Sequence, residues 1–196
     1  AWSDVWICAD DRGHIQATGV DQKGRLQYRY HPDWIAIKAV MKFDGIAGFA
    51  EVLPSLRARI KKDLKIKEMT LDKVSALVVR LMDLYNIRVG SDEYAKSNES
   101  YGLTTLKEGH FEYVRGKKAE GKHDAIFAFT GKSGKEWNIL IEDDELVQMI
   151  LETKKLGEEK EDQDLFYYRN IETENENDLK AEHINSYIQK ATGESY

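Results

Sequence analysis

The stretch Leu84–Leu106, LYNIRVGSDEYAKSNESYGLTTL, decides the reading of this chain. It opens at the end of an apolar periodic segment and closes where strands begin. Upstream, Leu71, Val74, Val78, Leu81 and Tyr85 recur at spacings of three and four, one face of an amphipathic helix. The next position on that stripe is Arg88. A guanidinium on the core side of a helix requires an internal carboxylate or an external anion, because a lone buried charge costs several kcal/mol or more. Asp92 and Glu93 are the internal candidates. Val89-Gly90-Ser91 then breaks the helix, and Ser91 is placed to cap a short new one over residues 91–96.

Working outward, the 196 residues suffice for one large domain or a small one plus a medium one. Hydrophobic residues make up 41% and charged residues 33%, as in soluble globular proteins. No run of about 18 apolar residues is present, so no membrane span is expected. The single cysteine, Cys8, provides no internal disulfide and suits a reducing cytoplasm. The opening AWSDVWICA reads as a strand already under way, so sequence is expected to precede it. The net charge of −6 hides an asymmetry. Residues 21–88 carry a net +6 and residues 142–182 a net −10. Such a basic half can bind a polyanion through one face, or simply be a solvated surface.

The first 30 residues read as three strands with polar turns, the third being Arg25–Tyr30. Period two puts Arg25, Gln27 and Arg29 on one face and Leu26, Tyr28 and Tyr30 on the other. A glutamine between arginines can read a base edge, with Arg and Tyr on phosphates; an ordinary edge strand fits the pattern equally. Pro32 begins a helix expected to end near Phe43, followed by two more that meet at Leu53-Pro54. The later one carries Arg57, Arg59, Lys61, Lys62 and Lys65, a phosphate-facing or a solvated face. Thr70 caps the helix that follows.

Beyond the central stretch, strands are expected over His110–Val114, Lys122–Thr130 and Lys135–Ile141. Gly131-Lys132-Ser133-Gly134 joins the last two and puts Lys132 on an exposed tip. A helix over Asp143–Leu156, an acidic connector over Gly157–Asp164, a short buried element at Leu165–Tyr168 and a helix over Asp178–Lys190 complete the chain, with Gly193 as its C-cap. The five histidines make no HxxxH pair and have no cysteine partners, so no metal site is expected.

Four segments together resemble the type IB DNA topoisomerases of the poxvirus and bacterial branch. They are Gly19–Tyr30 (GVDQKGRLQYRY), Ile87–Gly90 (IRVG), Tyr101–Leu106 (YGLTTL) and Phe129–Lys132 (FTGK). The resemblance implies an α+β protein: part of a small N-terminal β DNA-binding domain (residues 1–31), then a mostly α-helical catalytic domain (residues 32–196) of the DNA breaking–rejoining type with a small antiparallel sheet. In such enzymes a tyrosine attacks a phosphodiester to form a 3′-phosphotyrosyl link, the free strand end rotates, and the 5′-hydroxyl reseals the nick. Two arginines and a histidine contact the scissile phosphate and a lysine protonates the leaving oxygen. The resemblance assigns the first arginine to Arg88 and the lysine to Lys132. It makes Gln27, Tyr28 and Tyr30 the expected major-groove contacts, and Arg25 beside them is a further expected contact to duplex DNA. No cofactor, ATP or metal is implied, and a monomer in the cytoplasm, associated with the nucleoid, is expected.

The second arginine, the histidine and the nucleophile of such enzymes follow the final helix. Tyr196 is not preceded by that motif, so the nucleophile is expected outside this sequence and the chain by itself is expected to relax DNA little or not at all. A tyrosine recombinase shares this chemistry, and a non-catalytic DNA-binding protein is the alternative of another class. The GRLQYRY strand favours the topoisomerase.

Overall fold

The structure, a computed structural model, describes residues 1–115, 123–157 and 163–193. The chain divides into two compact units, Ala1–Val52 and Leu53–Ser195.

In the first unit β1 (Ser3–Ile7), β2 (Ile15–Val20) and β3 (Leu26–Tyr30) form an antiparallel meander in the order 1-2-3. Register is set by pairs such as Thr18 with Tyr28 and Gly19 with Gln27. The β2–β3 turn closes on Asp21, whose backbone N–H donates to Arg25 O and whose carbonyl accepts from Gly24 N.

Helix α1 (Pro32–Asp63) starts in this unit and ends in the second. The sequence suggested separate helices broken at Pro54; the backbone instead runs through it. A proline inside a helix forgoes its own hydrogen bond and crowds the preceding turn, and the surrounding turns hold the helix despite that cost.

The second unit is built around α2 (Leu71–Tyr85). Thr70 caps it, its hydroxyl accepting from Lys73 N at 3.3 Å. All residues from Lys73 to Val79, and Leu81, are buried. The helix is therefore covered on nearly every side, not along one stripe. It packs against α4 (Asp144–Lys154), α5 (Ala181–Thr192) and β7 (Tyr167–Arg169). Full burial of each such aliphatic side chain contributes about 1.5–3 kcal/mol.

A three-stranded antiparallel sheet, β4 (Phe111–Arg115), β5 (His123–Gly131) and β6 (Lys135–Ile141), has the order 4-5-6. Phe127 and Ile141 from it join Leu77, Leu103, Phe166 and Ile184 in the core. The expected strand start at Lys122 lies outside the described residues, as do residues 158–162 of the connector and the last three residues. The short element at Leu165–Tyr168 is half strand: Leu165 and Phe166 are buried and β7 pairs with β8 (Glu176–Asp178). Asp178 thus ends a strand, and α5 starts three residues later than expected. Gly193 closes α5 at φ +81°. The small N-terminal sheet followed by a mostly helical unit with further small sheets is the expected α+β architecture.

Candidate active site and nucleic-acid interface

Helix α2 ends one turn before Arg88. Asn86 takes the left-handed conformation (φ 55°, ψ 29°), its N–H returning to Met82 O. Asparagine tolerates this geometry, and it ends the helix. The rotation hands the core position to Ile87, 4% exposed, and leaves Arg88 exposed. The expectation of a core-facing Arg88 on the helix is therefore corrected, because a capping residue resets the helical phase. Nor does the Asp92 pair form. Among the described residues Arg88 has no ion pair, and Asp92 Oδ2 lies 3.6 Å from Lys180 Nζ. Lys180 also reaches Asp178 at 3.0 Å and Asp164 at 3.6 Å.

The Arg88 backbone is fixed by YGLTTL. Leu103 N donates to Arg88 O at 2.9 Å and Thr104 N to Val89 O at 2.7 Å. The Thr104 hydroxyl adds a second bond to Val89 O at 2.9 Å. Thr105 Oγ1 accepts from Gly102 N at 3.0 Å and donates to Gly102 O. Gly90, at φ +107°, lies against Gly102. The two quoted segments therefore make one hydrogen-bonded corner, which explains why they occur together. Short helix α3 (Asp92–Asn98) follows it; Ser91 occupies the N-cap position without a side-chain cap bond.

Lys132 sits past the end of β5, in a single turn of 3₁₀ helix (Lys132–Gly134) with Ser133 at φ +65°. It is exposed on the hairpin tip, as expected. Tyr101 N donates to Thr130 O at 2.9 Å and so ties the Arg88 corner to β5, the strand that ends just before Lys132. Arg88, Tyr101, Gly131, Lys132, Lys135 and Trp137 line one cleft of about 300 Å³. Lys135 Nζ lies 4.5 Å over the Trp137 ring. The cleft thus gathers three cationic side chains and suits an anion; a guanidinium fork and ammonium groups match phosphate oxygens. Sequence reasoning missed Lys135. Its alternation with Trp137 on β6 was the available signal.

The other expected contacts belong to the first unit. Arg25 is bound to Asp21 through Nε at 2.9 Å and through NH2 at 2.7 Å. Gln27 Nε2 donates to the same carboxylate at 3.0 Å. The Arg25 guanidinium and backbone N–H hold the Asp21 carboxyl down to about 2. Tyr28 is exposed and stacks with Tyr30, ring centroids 6.0 Å apart and 13° from parallel. Lys38 Nζ lies 5.9 Å from the Tyr30 centroid and 5.7 Å from that of Trp34. Tyr28, Arg29, Tyr30 and His31 line a second cleft of about 610 Å³.

Of the basic run on α1, two members are internal ties. Arg57 forms a two-point pair with Asp83 of α2, at 2.7 and 2.9 Å. Arg59 pairs with Asp63 and, at 3.2 Å, with Asp72. Lys61 and Lys62, and Lys65 just past the end of α1, remain exposed. Among the described residues no three His, Cys, Asp or Glu side chains gather as a metal centre, and no helix is long and apolar enough to cross a membrane.

Comparison with known proteins supplies the family. Residues 33–195 match the model of the eukaryotic DNA topoisomerase I catalytic core, and residues 1–21 that of the bacterial DNA topoisomerase IB N-terminal domain. The DNA topoisomerase 1B of Acanthamoeba polyphaga mimivirus is 31% identical over 201 residues, covering all of this chain and 56% of that protein. The DNA topoisomerase 1B of Vaccinia virus (strain Western Reserve) is 33% identical over 95 residues, 48% of this chain and 30% of its own length. The DNA topoisomerase I of Monkeypox virus is 34% identical over a stretch of the same length. The chain thus spans about half the length of its mimivirus relative. With a catalytic-core match across most of its length, the chain belongs to the type IB DNA topoisomerase family.

Proposed function

We propose that this chain is the duplex-DNA-binding part, and half the catalytic apparatus, of an enzyme that relaxes supercoiled DNA through a 3′-phosphotyrosyl intermediate. The observation that carries the reading is the convergence of Arg88 and Lys132 on one cleft, from segments held together by the Tyr101–Thr130 bond. The scissile phosphate gains negative charge on its non-bridging oxygens in the transition state. Arg88, free of internal carboxylates among the described residues, stabilises that charge with a fork of N–H donors. Lys132 donates a proton to the departing 5′-oxygen as general acid. Transesterification conserves the phosphodiester energy in the protein–DNA link, so ATP is not required.

In the first unit, Gln27 and Arg25 from one face of the edge strand β3, and Tyr28 and Tyr30 from the other, reach DNA along that edge, with Asp21 holding Arg25 and Gln27 in place until bases or phosphates compete for them. The attacking tyrosine, the second arginine and the histidine are assigned to none of residues 1–196.

Single-turnover cleavage of a duplex by the full-length protein tests this. Lys132→Ala and Arg88→Ala are expected to slow cleavage by about a hundredfold or more, the range for losing a general acid or a charge-stabilising donor. Duplex affinity changes little. Parallel loss of affinity and cleavage would make Lys132 a phosphate anchor only. Relaxation of supercoiled plasmid by residues 1–196 alone, in EDTA and without ATP, would place a nucleophile within the chain and overturn the assignment of the attacking tyrosine.

A further inference from the structure

Tyr101 lies in the cleft with Arg88 and Lys132, and it also lines a neighbouring one. Its backbone is fixed by the bond to Thr130 O. Its ring is fixed by an edge-on contact with His110, centroids 4.4 Å apart. Its hydroxyl has no hydrogen-bond partner among the described residues. Trp34 Nε1 and Ser75 Oγ are the described side-chain atoms both sealed from solvent and unbonded, so the Tyr101 hydroxyl is accessible. A phenol that is rigidly held, half-buried and unpaired is a preorganised donor in want of an acceptor.

The two clefts differ in charge. The neighbouring one presents the carboxylates of Glu99 and Glu136, the latter accepting from Thr130 Oγ1 at 2.9 Å. That side repels an anion. The other side holds Arg88, Lys132 and Lys135. An anionic acceptor for the phenol therefore enters from the cationic side.

We propose that the Tyr101 hydroxyl donates a hydrogen bond to a non-bridging oxygen of the phosphate held by Arg88 and Lys132, as a further catalytic residue. The proton stays on Tyr101, and no bond is made or broken there. The inference rests on the phosphate reading of the cleft given above.

The test is single-turnover cleavage by the full-length protein carrying Tyr101→Phe, which removes one oxygen and keeps the ring packed on His110. The expected slowing is about ten- to a hundredfold, the range for a hydrogen bond to a charged acceptor. The discriminating substrate replaces one non-bridging oxygen of the scissile phosphate with methyl, as separate diastereomers. On the one lacking the oxygen that Tyr101 addresses, the Phe variant and the parent should cleave at the same rate. A Phe variant as fast as the parent on ordinary phosphate would overturn the proposal, and so would an equal loss on both diastereomers. If Arg88→Ala and Lys132→Ala also cleave normally, the phosphate reading itself has failed.

Discussion

Gly102 and Gly90 touch backbone to backbone: a Cβ added to Gly102 would stand 2.6 Å from both the Cα and the N of Gly90, and 2.7 Å from Arg88 O. No side chain can yield there, because every obstructing atom is main chain. Gly102 itself is extended (φ −148°, ψ 179°), so the demand is for space and not for an unusual backbone. Gly102→Ala must push the segment Arg88–Gly90 away from Leu103–Thr105. The expected cost is about 2–3 kcal/mol in denaturant unfolding, the upper range for overpacking. DNA cleavage by the full-length protein should fall further than stability alone explains. A fully stable Gly102→Ala would mean the corner tolerates displacement.

A second close contact sits under Lys132. A Cβ on Gly131 would meet Trp137 Nε1 at 2.5 Å. The Trp137 ring is stacked on Phe129, 6.2 Å and 4° apart. Gly131→Ala should dislodge the indole, which is read as a shifted tryptophan emission, at a cost of about 1–3 kcal/mol. An unchanged spectrum and stability would show that the ring is not held there.

The buried carboxylate of Asp63, 3% exposed, accepts from the Tyr187 hydroxyl at 3.0 Å and pairs with Arg59. It joins α1 to α5. Asp63→Ala leaves the Tyr187 phenol without its acceptor and Arg59 with Asp72 alone, and a loss of about 1–3 kcal/mol is expected in chemical denaturation. Asp63→Asn, which retains an acceptor, should cost less.

Tyr187 also carries a pH signature. Burial, and then the bond to Asp63, hold its pKa well above the usual phenol range. Its folded-state pKa is raised, so the contribution to stability is intact below the unfolded value of about 10. Above that pH the unfolded chain releases a proton that the folded one keeps, and stability falls by about 1.4 kcal/mol per pH unit. Unfolding free energies measured from pH 8 to 11 should show this decline, and Tyr187→Phe should make it shallower by one proton's worth. An identical decline in the Phe variant would assign the effect to other tyrosines.

Asp21 is the opposite case. Its carboxyl is held down to about 2 by Arg25. The turn should keep its Arg25 and Gln27 contacts as pH falls until that range is reached. Carboxyl chemical shifts through an acid titration should show an Asp21 midpoint near 2, and Arg25→Ala should return it towards the ordinary carboxylate value. A midpoint already ordinary in the parent would show that the pair is not formed in solution.

The sequence by itself determined the elements with strong local causes. Thr70 capping α2, the strand Lys135–Ile141, the glycine-bounded tip at Lys132 and the Gly193 cap all lie where spacing and turn chemistry put them. Those signals act within a few residues, so a linear reading recovers them. The segments around Arg88 and Lys132 stood out through their resemblance to the family, and the fold lines one cleft with both residues. Tertiary structure decided the rest. Asn86, not the glycine at 90, ended α2 and turned Arg88 outward, a choice made by Ile87 taking the core position. Pro54 stayed inside a helix that its local chemistry would have broken. Arg57 and Arg59, read as part of a phosphate-facing or a solvated face, were claimed by Asp83, Asp63 and Asp72. Each outcome turns on partners far apart in the chain or on burial. An ion pair or a core site is settled by which groups packing brings within a few ångströms, and spacing along the chain carries no record of that.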